Sequence, residues 1–160
     1  MIPVTIAETP DAAAVLAEVG ITEDTEFVGP YTDDWERAVL TVPQRIMGAW
    51  ARNDADLFAD TFTDNGSLLL NDNQMTSREQ IRAYMAAGYS GPLKGAKVHG
   101  WPVQVTRLSE RAAMVITQGG IMFPGEERIA DRNEIRATWV IVAEEGRWKL
   151  LSHQSSPIKG

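Results

Sequence analysis

The chain has 160 residues, of which 44% are hydrophobic and 23% charged, and it contains no cysteine. This length and composition predict one domain with its own core, and the lack of cysteine excludes disulfides, a thiolate nucleophile and a cysteine zinc site. With only two histidines, we expect no metal site. No apolar run approaches the roughly 20 residues of a membrane helix, and no signal sequence is visible. We therefore expect a cytoplasmic protein without a membrane partner.

The net charge of −7 is unevenly distributed along the chain. Residues 1–36 hold nine acidic and no basic residues, whereas residues 37–160 hold 13 acidic and 15 basic ones. Because the basic residues are spread singly rather than clustered, we expect no nucleic-acid partner. The acidic composition predicts a solvated leader over residues 1–31, with one short helix from Asp11 to Val19, before a single domain over residues 32–160.

Three helices and five strands are predicted after the leader. Apolar residues at three- and four-residue spacing indicate the helices, and branched, alternating runs indicate the strands. Pro43 falls inside the first helix, so we expect a kink there, or a restart capped by Thr41 with Gln44 as its partner. The helices are predicted over residues 32–53, from Asp54 to about Phe62 and from Ser77 to about Gly88, and the strands over residues 67–71, 97–108, 112–122, 128–144 and 147–156.

The order of these elements indicates the fold class. Helices with one early strand come first, and four strands joined as an antiparallel meander follow. This order predicts an α+β fold in which a curved sheet wraps around a cover of helices.

Several motifs at helix junctions, turns and the last strand carry a family resemblance; they are Ala49–Phe58, Phe62–Gly66, Ser77–Ile81, Gly146–Leu150 and His153–Ser155. In this order they resemble the nuclear-transport-factor-2-like superfamily, which includes ketosteroid isomerases, scytalone dehydratases and SnoaL-type polyketide cyclases. Within it the chain looks most like the SgcJ/EcaC group, whose members include proteins of enediyne antibiotic pathways. The resemblance spans residues 33–156. It implies a cone-shaped fold with three N-terminal helices on a curved, mostly antiparallel sheet, and a pocket between them.

The resemblance also implies which groups the pocket lacks. When the motifs are aligned with the isomerase pattern, Ile46, Leu70 and Trp139 occupy the positions of that enzyme's catalytic tyrosine and two acids. The usual ketosteroid-isomerase chemistry therefore has neither its base nor its oxyanion donors here.

Strand alternation within the implied cone selects candidate site residues. Because a histidine titrates near pH ~6.5, we expect His153 to be a catalytic base, with Gln118 holding a carbonyl or enolate oxygen. The alternatives are a core histidine bonded to Ser155 or Gln118, and a solvent-exposed glutamine. The predicted ligand-binding residues are Ile46, Trp50, Leu70, Asn71, Tyr84, Ile116, Ala137, Trp139, Leu151 and Ser155. Asn71 is alternatively a turn residue, and the tryptophans alternatively fill the core.

No phosphate-binding glycine loop, dinucleotide fingerprint or serine elbow occurs in the sequence, so we expect no cofactor. The function predicted is cofactor-free cyclisation, isomerisation or dehydration of a polyketide-like or other hydrophobic intermediate. A carrier for such an intermediate and a structural dimerisation partner are the alternatives. Apolar residues predicted on the convex sheet face, Val140, Val142, Trp148 and Leu150, indicate a homodimer.

Overall fold

A computed structural model describes residues 10–159. In that range no helix is long and apolar enough to span a bilayer. The helices are α1 (Ala12–Glu18), α2 (Thr25–Val28), α3 (Asp34–Val39), α4 (Thr41–Arg52), α5 (Ala55–Asp60) and α6 (Arg78–Tyr89), with a 3₁₀ turn at Asp131–Asn133. The strands are β1 (Phe62–Leu70), β2 (Asn73–Met75), β3 (Lys97–Ser109), β4 (Ala112–Met122), β5 (Glu134–Glu144) and β6 (Arg147–Pro157).

The six strands form one sheet in the order β2-β1-β6-β5-β4-β3. All neighbours pair antiparallel except β1 and β6, which run parallel. The helices pack against the concave side, where the core lies. The predicted α+β class, with helices on a curved and mostly antiparallel sheet, is confirmed.

The first predicted helix is two helices that meet at Leu40. Asp33 begins α3 with a capping box, in which its side chain accepts from the backbone N–H of Glu36. The restart at Thr41 is confirmed, but the predicted cap is wrong, because the Thr41 hydroxyl donates backwards to the Ala38 carbonyl. Pro43 lies in the first turn of α4, where the N–H that proline lacks would have no partner within the helix.

The early strand is longer than predicted, and its hairpin partner β2 was missed. Asn71 and Asp72 join the two strands with positive φ values of 49° and 62°. Asparagine and aspartate tolerate this conformation better than other residues with a side chain, which suits a two-residue hairpin turn. The strand predicted from residue 128 begins instead at Glu134, after the 3₁₀ turn.

The short helix predicted from Asp11 to Val19 is present as α1, but residues 10–31 are packed rather than solvated. Asp11 and Asp24 cap α1 and α2 by accepting from backbone N–H groups. Leu16 is fully buried, and Phe27 and Val28 are almost so. Phe27 and Val28 belong to the hydrophobic core, so burial of apolar surface helps to hold this acidic segment in place. Residues 1–9, the rest of the predicted leader, lie outside the described residues.

A β-bulge in β6 changes which side chains lie on the outer face of the sheet, compared with the prediction. Leu150 pairs with Ile141 and Ser152 pairs with Val140, so Leu151 is an extra residue between them. The bulge shifts the alternation by one residue, and Leu150 therefore lies in the core at 1% exposure. Trp148 also faces inward and packs edge-on against Trp35. Placing Trp148 and Leu150 on the convex face was wrong, whereas Val140 is half-buried on that face.

Buried Arg45 ties α4 to the sheet. Its guanidinium donates to the Trp148 carbonyl of β6, and burial lowers its pKa to about 10. The contact holds the helix that lines the concave side against the strand that carries His153.

At Gly119 and Gly120, the β4 backbone lies close to β3 on one side and to the 3₁₀ turn on the other. A Cβ on Gly119 would lie 2.0 Å from the His99 carbonyl oxygen, and one on Gly120 would lie 2.1 Å from the Asn133 carbonyl oxygen. Both contacts are to backbone, which cannot rotate away as a side chain can. The bend of β4 at this point therefore requires residues without a side chain.

We expect Gly119→Ala to lower the free energy of unfolding by about 3 kcal/mol, because β3 must move to admit the methyl group. Urea denaturation of the purified protein measures this change. Gly91→Ala is the control, since the nearest atom to its Cβ would be the Ala87 carbonyl oxygen at 3.3 Å. Equal stabilities of the two variants would show that the close approach does not constrain β4.

Candidate functional site

A cavity of about 100 Å³ lies between α4 and the concave face of the sheet. It occupies the end of the sheet where β1, β4 and β6 finish and where β3 and β5 begin. Apolar cavities of similar size accept a small aromatic ring. The helices contribute Phe27, Pro43, Ile46, Met47, Trp50 and Phe58, and the strands contribute Phe62, Leu68, Leu70, Val98, Ile121, Ile135, Ala137, Trp139 and Leu150.

The cavity wall is uncharged. Among residues 10–159, no aspartate, glutamate, lysine or arginine lines it, and no three potential metal-ligating side chains converge anywhere. Its inward polar side chains belong to Thr117, His153 and Ser155. Such a surface gains little from an ionic ligand, because it offers no opposite charge in exchange for lost hydration.

Trp139 connects the polar groups of the cavity. Its indole Nε1 donates a hydrogen bond to the Thr117 hydroxyl at 2.8 Å. The His153 ring packs edge-on against the indole, with 4.5 Å between the ring centroids. Thr117 accepts in its bond to Trp139, so its own hydroxyl hydrogen can still be donated.

His153 keeps unused hydrogen-bonding capacity. Its Nδ1 is buried and has no partner among the described residues. The alternative of a core histidine held by Ser155 or Gln118 is therefore not what the structure shows at this atom. Burial lowers the pKa of His153 to about 4, because the imidazolium would lose its hydration. The ring is neutral at pH 7.

Apart from Gln118, seven of the predicted site residues lie on the cavity wall. His153 and Ser155 come from β6, and Ala137 and Trp139 from β5. The remaining three, Ile46, Trp50 and Leu70, come from α4 and β1. Ile46, Leu70 and Trp139, which the resemblance aligns with the isomerase's catalytic groups, thus line one apolar cavity. Their roles in binding remain predictions.

The hydrogen bonds of Gln118 correct its predicted role. It borders the cavity, but it pairs across the strands with Arg136 on the outer face. Its amide nitrogen donates to Glu134 at 3.0 Å, and its amide oxygen accepts from Arg136 at 3.2 Å. Since both ends of the amide are engaged outside, the prediction that Gln118 holds a substrate oxygen is wrong for this arrangement.

Four predicted ligand-binding residues do not line the cavity. Ile116 lies beside Gln104 and Thr138 on the outer side of the sheet, one residue out of phase with buried Thr117. Leu151 is the bulge residue of β6. Asn71 is a turn residue with positive φ, and Tyr84 accepts a hydrogen bond from Asn73 near that turn.

Sequence reasoning missed more than half of the lining residues, and Thr117 and Phe27 show why. Thr117 had no usable signal, because apolar residues occur on both faces of β4 and the sequence does not tell which face is buried. Phe27 had no usable signal, because it lies in an acidic segment that composition assigns to solvent. The structure brings it to the cavity from outside the predicted domain.

Solved structures of low sequence identity share this fold. A domain of unknown function with a cystatin-like fold from Nostoc punctiforme has a TM-score of 0.70 at 16% identity, covering 76% of each chain. An NTF-2-like protein from Shewanella oneidensis has a TM-score of 0.62 at 18% identity, covering 74% of this chain and 96% of its own. A protein with a cystatin-like fold from Caulobacter vibrioides has a TM-score of 0.62 at 21% identity, covering 76% of this chain and 87% of its own.

No curated protein matches the sequence. The family model of the SnoaL-like domain matches residues 39–159, which include α4 and every strand of the sheet. The chain therefore belongs to the SnoaL-like domain family.

Proposed function

We propose that the protein binds a small, uncharged, mostly apolar molecule in the cavity, with a polar group of that molecule hydrogen-bonded to His153. The observation that carries this proposal is a half-buried imidazole on the wall of an otherwise apolar cavity, whose Nδ1 atom is buried and has no hydrogen-bond partner among the described residues. An unsatisfied buried polar group costs about 1 to 3 kcal/mol. A ligand that supplies the missing hydrogen bond recovers that cost.

The chemistry of the wall favours a flat ligand with one hydroxyl or carbonyl group. Trp50 and Trp139 provide aromatic surface, and Thr117 offers a hydroxyl hydrogen to an acceptor. The resemblance of the sequence motifs to the SgcJ/EcaC group supports a polyketide-like biosynthetic intermediate, such as an enediyne precursor, as the source of this ligand. Sequestering such a molecule without changing it requires no further group.

Acid–base catalysis is the second candidate, and the unpaired nitrogen of His153 favours it. A neutral imidazole with a pKa of about 4 accepts a proton weakly, but carboxylate bases in this range do remove protons next to carbonyl groups. His153 would take the proton, and the Thr117 hydroxyl would donate to the carbonyl oxygen as negative charge develops there. Isomerisation, dehydration and cyclisation can each begin with this step.

A homodimer through the convex face is part of the proposal. Met114, Ile116, Val140 and Val142 are half-buried on that face, beside exposed Trp101 on the edge strand. A second copy would cover this mixed surface, which is smaller than predicted because Trp148 and Leu150 lie in the core.

Binding is tested with p-cresol and toluene, which differ by one hydroxyl group. We expect the wild-type protein to bind p-cresol more tightly than toluene by isothermal titration calorimetry at pH 7. His153→Leu keeps the volume and should reduce this ratio of affinities by about fivefold to tenfold, which corresponds to one hydrogen bond. Benzoate should bind at least about tenfold more weakly than p-cresol, because the cavity lacks a cation.

Gln118→Ala is the matched control, because the structure places this amide outside the cavity. It should leave the ratio of affinities unchanged. If wild-type protein bound neither p-cresol nor toluene, the proposed function would be lost.

The stability of the protein should depend on pH through His153. In the unfolded chain this residue has its ordinary pKa near 6.5 and takes up a proton as the pH falls below that value, whereas the native state does not until about pH 4. Native stability is thus complete above pH 6.5 and is lost as the pH falls. Between pH 7 and pH 5 the loss due to His153 should be about 2 kcal/mol.

Urea denaturation of wild-type protein and His153→Leu at both pH values measures this loss. The carboxylates titrate alike in the two proteins, so the wild type should lose about 2 kcal/mol more than the variant. An equal loss in both would mean that the native imidazole is not shielded from water.

Proton abstraction can be detected without knowing the natural substrate. We expect the protein to accelerate exchange of the α-protons of cyclohexanone, a ketone of one ring, in D₂O, followed by NMR. His153→Leu should reduce this acceleration by about 10² to 10⁴-fold. If the wild type bound cyclohexanone without accelerating exchange, binding would stand and the catalytic candidate would fall.

A further inference from the structure

The cavity wall includes a residue that the family domain does not supply. The SnoaL-like match begins at residue 39. Phe27 precedes it by twelve positions, belongs to α2 and is 6% exposed, yet it lines the cavity. The segment before the family domain is therefore part of the site.

Three polar contacts hold this segment in place, each to a different element. Arg37 of α3 forms a bidentate ion pair with Glu23, at 2.6 and 3.0 Å. The Gln44 side chain of α4 accepts from the backbone N–H of Asp24 at 2.7 Å. Tyr31 donates to the Val103 carbonyl of β3 at 2.9 Å. Anchors on both sides of Phe27 fix the position of its ring.

The position of α2 explains what Phe27 does to the cavity. The β3 strand is the edge of the sheet, so no further strand continues the concave wall beyond it. Helix α2 packs against β3 and fills this place. Without the Phe27 ring, the space between α4 and the edge strand would extend the cavity sideways.

We propose that Phe27 is a specificity-determining residue that limits the cavity to ligands of about one aromatic ring. The inference deepens the proposed function and depends on the cavity being a binding site. The present volume of about 100 Å³ suits a single ring. Replacing the benzyl side chain by a methyl group frees room for about one more ring. No charged group of the wall lies beside this space.

The test compares p-cresol with 4-phenylphenol. The second compound carries a phenyl ring in place of the methyl group, opposite the hydroxyl. Calorimetric affinities for both are measured with the full chain as wild type and as Phe27→Ala. We expect the ratio of 4-phenylphenol to p-cresol affinity to rise by at least about tenfold in Phe27→Ala, since apolar pockets discriminate small differences in size by about 10 to 200-fold. Phe27→Leu, which loses less volume, should give a smaller rise.

Val28→Ala is the matched control, because Val28 is 3% exposed on the same helix and does not line the cavity. It loses buried contact as Phe27→Ala does, so it reports any general loosening of α2. Its ratio of affinities should equal that of the wild type. Thermal melting of each variant shows that the compared proteins are folded.

The outcomes separate this inference from the proposed function. If p-cresol binds the wild type and the ratio stays the same in Phe27→Ala and Phe27→Leu, Phe27 does not set the size limit. An equal rise in Val28→Ala would also overturn the inference, since loosening would then be the cause. Failure of the wild type to bind p-cresol removes the proposed function. Binding of 4-phenylphenol to Phe27→Ala but not to the wild type would still show that the Phe27 ring closes the cavity.

Discussion

A single extra residue in β6 determines which side chains meet on the concave side of the sheet. Strict alternation along a strand would turn either the pair Trp148 and Leu150 or the pair His153 and Ser155 toward the outside. The bulge at Leu151 changes the phase between the two pairs, so that both face inward. One strand therefore supplies core packing at its beginning and the polar groups of the cavity at its end.

Two polar side chains of the cavity differ in their hydrogen bonding, because one has a partner and the other has an atom without one. The indole N–H of Trp139 is paired with Thr117, as is usual for a buried tryptophan. His153, which packs against the same indole, keeps an unpaired Nδ1 and a pKa lowered to about 4. A leucine of similar volume would fill the position without this cost. Departures from an otherwise consistent apolar core are expected at functional sites, and His153 is such a departure.

Local signals predicted the fold well, and long-range geometry limited the prediction of the site. Asp54 and Ser77 were assigned as helix starts because capping depends on neighbouring residues, and the structure shows both caps. Alternation failed at Leu151 and Ile116 for a different reason. A bulge has no reliable sequence signature, and the apolar Ile116 suits an inner face as well as Thr117 does, so only the pairing of β4 with its neighbours fixes the phase.

The acidic segment shows how an average composition conceals a folded structure. Several of its carboxylates have structural partners: Asp24 caps a helix, Glu23 pairs with Arg37, and Glu18 pairs with Arg147 of β6. The negative charge thus arises partly from groups that fix α1 and α2 in place rather than from a chain that avoids packing. Because Phe27 reaches the cavity from this segment, the cavity wall extends beyond the SnoaL-like domain, and relatives that share only residues 39–159 need not share the shape of this cavity.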